Sequence, residues 1–156
     1  MADKPQKSDR MVEDDSLFSA DGLRNYMGKR AAAEALDDAK REEAQAAAKK
    51  AMIADLMKPV EVDQARRDRF ARRLKEAADS GRSEMMVLRF PSDLCSDQGR
   101  AINNRLAGWE NSLVGRPKQL YDIWEKELKP KGFKLRFEVL EYPKGIPGDI
   151  GMFVAW

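Results

Sequence analysis

The sequence predicts an α+β protein in which a long N-terminal helical arm precedes a small three-stranded mixed sheet packed with about three helices. Three observations point there. Residues 24–58 are nearly all strong helix formers, with no Gly or Pro between Lys29 and Lys58. Residues 84–90 and 133–139 repeat apolar side chains at the strand period of two, and residues 150–156 are apolar on both faces. Between these runs stand the Pro, Gly, Ser and Asp residues that start and stop helices.

Residues 1–23 are polar, carry Pro5 and the acidic run Glu13, Asp14 and Asp15, and offer little apolar surface to offset ordering entropy. They are expected to be a disordered tail. Leu17 and Phe18 are its bulky pair, read first as a contact on the following helix and second as a short docking motif.

Residues 24–58 then form one long charged helix, the arm. Its apolar seam runs through Leu36, Ala39, Ala46, Ile53 and Met57 but is broken by Glu43 and Lys50, which suits a solvated helix or weakly associating arm better than a coiled coil.

Residues 60–156 are expected to be a compact α+β domain. Pro59 ends the arm, Asp63 caps a helix to about Asp79, and Ser80 with Gly81 closes it. Phe70, Leu74, Ala77 and Ala78 give that helix an apolar stripe. In strand 84–90, Met86, Leu88 and Phe90 should share one face and Met85, Val87 and Arg89 the other.

After Pro91, Ser92 should cap a helix reaching about Ile102, before a polar loop through Asn103, Asn104, Gly108 and Asn111. Gly115 and Pro117 open another helix carrying Leu120, Tyr121, Ile123, Trp124 and Leu128, which Pro130 and Gly132 end. Phe133, Leu135, Phe137 and Val139 mark a half-buried edge strand. The doubly apolar 150–156 suits the sheet centre, so the expected order is first, third, second strand.

Composition narrows the chemistry. The chain has no histidine and one cysteine, Cys95, so imidazole-based catalytic arrangements and His or multi-Cys zinc sites have no ligands within it. Phosphate-binding glycine loops are missing as well. A non-enzyme without cofactor or metal is the expectation. One cysteine, no signal-peptide-like start and no membrane-length apolar run predict a cytoplasmic protein. With 29 Lys and Arg against 27 Asp and Glu, the net charge is +2, so electrostatic recognition must be local.

The densest charge is on the second helix: Arg66, Arg67, Arg69, Arg72, Arg73 and Lys75, interrupted by Asp68. These are candidate partner or nucleic-acid contacts, although their cations spread around much of the helix. Arg89, Lys134 and Arg136 would share a sheet face with Phe153 if the strands align, a candidate stacking platform for single-stranded bases. Trp109, in a Gly-containing loop, is the tryptophan expected to be exposed and a candidate protein contact. Cys95 reads as a buried hydrophobe before it reads as a nucleophile, and Asp93 with Asp97 reads as helix-start charge before a Mg²⁺ site.

The segments Arg89-Phe90-Pro91-Ser92-Asp93-Leu94-Cys95, Gly99-Arg100-Ala101-Ile102-Asn103-Asn104 and Gly148-Asp149-Ile150-Gly151-Met152-Phe153 are similar to those of small uncharacterised bacterial proteins, with proteobacteria the group expected. The resemblance covers about residues 61–156 and implies a similar C-terminal domain, without an activity. The order of elements is also similar to that of many small phage-encoded proteins, which makes a structural or accessory role of that kind a further alternative. The sequence thus predicts an interaction or assembly protein with a folded docking domain and a helical arm, bound to a protein partner or to itself. Its alternative is a nucleic-acid-associated regulator using residues 63–79.

Overall fold

Helix propensity is realised along the arm: α1 spans Ala20–Leu56 in the computed structural model, which describes residues 18–156. Of the tail expected over 1–23, residues 1–17 lie outside the described residues, Leu17 included. Residues 20–23 are already helical, because the Ser19 hydroxyl accepts the Gly22 amide at 3.0 Å and starts the helix early.

The chain forms two units, Met1–Ala46 and Ala47–Trp156. In the first, the described helix is exposed nearly throughout and carries local ion pairs such as Arg30–Glu34 at 3.0 Å. That pattern suits a helix polar on all sides.

In the second unit, the last turns of α1 belong to the core, so the boundary lies earlier than Pro59. Leu56 is only 5% exposed and clusters with Phe90, Leu94, Cys95, Leu113 and Ile150. Its burial contributes about 1.5–3 kcal/mol. Gly115 makes the approach possible: a Cβ there would stand 2.5 Å from the Leu56 carbonyl oxygen.

The linker after α1 is held by a side chain. Gln119 accepts the Val60 amide at 2.9 Å and donates to the Val60 carbonyl at 2.7 Å, replacing both partners the backbone lacks. Asp63 then caps α2 (Gln64–Asp79), accepting the Arg66 amide at 2.8 Å, and Gly81 follows its end with φ of 77°.

Three strands, β1 (Glu84–Pro91), β2 (Lys134–Val139) and β3 (Asp149–Ala155), form one sheet in the order β1-β3-β2, with β3 central as expected. Both pairings are antiparallel, which corrects the mixed sheet. The long connection from β1 to β2 leaves those two strands parallel, but β3 lies between them and no parallel ladder forms.

A register shift between Met86 and Leu88 makes Val87 the extra residue of a β-bulge. The inward set on β1 is therefore Met85, Leu88 and Phe90, not Met86, Leu88 and Phe90. They oppose Val154, Met152 and Ile150, which on the other side oppose Leu135, Phe137 and Val139. Three rungs of three apolar side chains make the floor of the core.

The helix expected from Ser92 is instead a short 3₁₀ turn, Ser92–Leu94, and a one-turn helix, α3 (Arg100–Asn103). Gln98 and Gly99 both take positive φ, 58° and 78°, and two successive left-handed residues cannot continue a helix. Ser92 caps nothing. Its hydroxyl donates to the Pro147 carbonyl at 2.7 Å and its amide to Gly148 at 3.0 Å, so it ties down the turn before β3.

The last helix, α4 (Gly115–Ile123), widens into a π-helical turn, Trp124–Leu128, before a 3₁₀ turn ends at Gly132. Trp124 steadies the wide turn by donating its indole N–H to the Phe133 carbonyl at 3.1 Å.

Candidate functional site

Residues 66, 69, 70 and 73 recur at the spacing that places them on one helix face. On α2 these are Arg66, Arg69, Phe70 and Arg73, and that face lines a groove of about 500 Å³. The opposite wall is α4 with its π turn, through Arg116, Leu120, Trp124, Glu127 and Leu128. Val87, Leu88, Met152 and Val154 give an apolar floor on the sheet, and the linker closes one end with Val60 and Val62. The bulge contributes by bringing Val87 and Leu88 together to this side.

Five arginines line the groove and one carboxylate, Glu127, stands among them. Arg67 pairs with Glu127 across it, Nη1 to Oε2 at 2.5 Å and Nη2 to Oε1 at 3.1 Å. This hydrogen-bonded pairing holds the Glu127 carboxyl below its ordinary range. Arg73 donates to the Met86 carbonyl at 3.0 Å on the free edge of β1. Arg116 reaches back to α1, where its Nη2 donates to the Asp55 carbonyl at 3.1 Å and its Nη1 to the Asp55 carboxylate at 3.2 Å. Its Nε is buried and has no hydrogen-bond partner among the described residues. Arg66 and Arg69 present guanidinium groups that carry no ion pair or side-chain hydrogen bond among the described residues.

Of the candidate contacts, Arg66, Arg67, Arg69 and Arg73 therefore meet in one place. Arg72 and Lys75 lie off the groove, Lys75 pairing with Asp79 at 2.6 Å. Trp109 is elsewhere and half-buried, its ring 4.7 Å from Phe137 and 5.8 Å from Tyr121 between centroids, so the exposed tryptophan is Trp156. Arg116 and Glu127 were not singled out from the sequence. Their only signal was position on an amphipathic helix, which does not reveal what faces it.

The outer sheet face does align Arg89, Lys134 and Arg136 with Phe153, but its cations are largely neutralised. Arg136 bonds Glu84 at 2.8 Å and also Glu138, while Arg89 bonds Asp149 at 2.7 Å. Arg136 also lies over the Phe153 ring, 4.3 Å from its centroid, where a base would have to stack.

The remaining candidates are engaged in the fold. Cys95 is buried, and desolvation with the nearby Asp97 charge pushes its thiol up to about 11. Asp93 pairs with Lys49, and Asp97 accepts the Gly99 amide at 3.0 Å and the Ala101 amide at 2.7 Å, which tightens the turn into α3. Among the described residues no group of three or more His, Cys, Asp or Glu gathers as metal ligands, and no helix is long and apolar enough to cross a membrane.

Fold and groove together define an α+β protein with an arginine-rimmed apolar cleft on one side of its sheet. No protein-family model matches the chain, and no curated protein and no solved structure matches it significantly.

Proposed function

We propose that this chain is a non-enzymatic interaction or assembly protein whose unit Ala47–Trp156 docks a protein partner in the groove, with the exposed charged helix as an additional contact surface. One observation carries this reading: between α2 and α4 the half-buried apolar side chains Val87, Leu88, Leu120 and Trp124 line an open groove, with Met152 and Val154 buried beneath them. Exposed apolar surface rimmed by polar groups is characteristic of binding sites. The lining consists of aliphatic, aromatic and guanidinium groups with one ion-paired carboxylate, which suits binding better than proton transfer.

A photo-crosslinking amino acid placed at Leu120, in the groove, and separately at Lys134, on the outer sheet face, tests the proposal in the host cell. A discrete protein adduct from position 120 and none from 134 is the expected result. Equal adducts from both positions, or none from 120, would reject groove docking.

Nucleic acid is the second reading, because Arg66, Arg69, Arg72 and Arg73 offer cations without an ion pair among the described residues. It requires oligonucleotide binding that weakens steeply with salt and is lost when Arg66, Arg69 and Arg73 are replaced by Glu.

A further inference from the structure

Resting on the docking reading, we infer that the groove's occupant is a short acidic segment of a partner protein that inserts bulky apolar side chains. The chemistry of the two layers specifies both halves. The half-buried Val87, Leu88, Leu120 and Trp124, which lie over the buried Met152 and Val154, recover apolar contact only from apolar side chains. A cleft of about 500 Å³ accommodates a few of them and not a folded domain.

The rim specifies the charge. Among the described residues Arg66 and Arg69 carry neither an ion pair nor a side-chain hydrogen bond, Arg73 bonds only the Met86 carbonyl, and guanidinium groups bind carboxylates through two parallel hydrogen bonds. From Arg66 to Arg73 the stripe extends about 10 Å along the axis, the reach of about three residues of an extended peptide. Carboxylates on one side of such a peptide meet the rim while alternate side chains enter the floor. Pairs formed beside that apolar floor are less screened than pairs on an open surface.

Other occupants fit less of this surface. A fatty acid supplies a single carboxylate to a rim where Arg66, Arg69 and Arg73 have no ion pair among the described residues. A nucleic acid strand leaves the aliphatic floor without a matching partner. Strand addition at β1 is obstructed where Arg73 already takes the Met86 carbonyl, so recognition runs through side chains.

The test is fluorescence anisotropy on the full chain with three labelled peptides of equal length: alternating Glu with Leu and Phe, the same peptide with Lys for Glu, and the same with Ser for Leu and Phe. The acidic apolar peptide is expected to bind saturably and at least about tenfold more tightly than either control. The double variant Arg66→Glu, Arg69→Glu changes exposed side chains, and its folding is verified by circular dichroism. It should lose about tenfold in affinity for the acidic peptide and gain affinity for the Lys peptide. Failure of the acidic peptide to bind, equal binding of all three, or tighter binding of oleate or a single-stranded oligonucleotide at the same site overturns the inference. Crosslinking from Leu120 combined with failure of the acidic peptide removes this occupant and leaves groove docking standing. Failure of both experiments removes both.

Discussion

Arg67 and Glu127 stand 60 positions apart in the chain, yet their side chains close on each other across the groove through two hydrogen bonds of 2.5 and 3.1 Å. The pair joins α2 to the π turn after α4, so the two walls are linked through one guanidinium. Glu127 also lies near Lys126 and Lys131, whose charges act on it in the same direction as Arg67.

This arrangement predicts a pH dependence. The folded pKa of Glu127 is depressed below its ordinary 4.5, mainly by the Arg67 hydrogen bond. The stabilisation is therefore present above 4.5 and lost as pH falls through the folded value. Carbon-13 NMR of the side-chain carboxyl should give a midpoint below 4.5 that moves toward 4.5 in Arg67→Ala. Unfolding of wild type and Glu127→Gln should differ at pH 6 and converge in acid. A wild-type midpoint at or above 4.5 contradicts the pairing.

Gly115 and Gly132 both take positive φ but differ sharply in their surroundings. Its φ is 60°, and an added Cβ would meet the Leu56 carbonyl oxygen at 2.5 Å and the Met57 Cα at 3.0 Å, both backbone atoms. Gly132 has φ of 90° with nothing within 4 Å. Gly132→Ala should cost about 1–2 kcal/mol of conformational strain, and Gly115→Ala about 2–4 kcal/mol because α1 must also shift. Urea unfolding of both variants measures this, and equal losses would mean that the α1 contact is not tight.

Much of the fold was legible because its boundaries are written in single residues. Asp63, Gly81 and Gly132 mark helix ends by their own conformational preferences, and the doubly apolar run of β3 signals a central strand. The bulge at Val87 was not legible. One extra residue moves Met85 to the core face, while the sequence around it, Met-Met-Val-Leu, is apolar at every position and fixes no phase. The break at Gln98 was hidden for a related reason: a non-glycine residue at φ of 58° is held there by its surroundings. For the groove, the sequence showed six cations spread around much of α2 and did not single out the face that carries Arg66, Arg69 and Arg73. The opposing Leu120, Trp124 and Glu127 come from a helix far along the chain, and tertiary packing alone brings them opposite.

Cys95 should behave as part of the core. Its folded pKa of about 11 lies above the ordinary 9.0, chiefly from burial. The stability linked to the neutral thiol is thus complete below pH 9.0 and declines as pH rises toward about 11. Relative to Cys95→Ala, wild type should lose stability across that window with a limiting slope of about 1.4 kcal/mol per pH unit. At pH 8 a disulfide reagent should label the native protein slowly and the urea-unfolded protein at once. Rapid native labelling would show that the thiol is accessible.

The clasp between Gln119 and Val60 holds the linker where it lines the groove. Because one amide side chain satisfies both the N–H and the C=O of Val60, Gln119→Leu keeps a similar size but strands two part-buried backbone groups. The expected loss is about 1–3 kcal/mol, reduced where water reaches the freed groups. Gln119→Glu keeps the acceptor for the Val60 amide and sets a carboxylate against the Val60 carbonyl, so it should recover amide protection only in part. Hydrogen exchange at Val60 reads this directly, with protection highest in wild type, intermediate in Glu and lowest in Leu. If exchange at Val60 is equally fast in all three, the clasp does not hold the linker, and Val60 and Val62 would not define that end of the cleft.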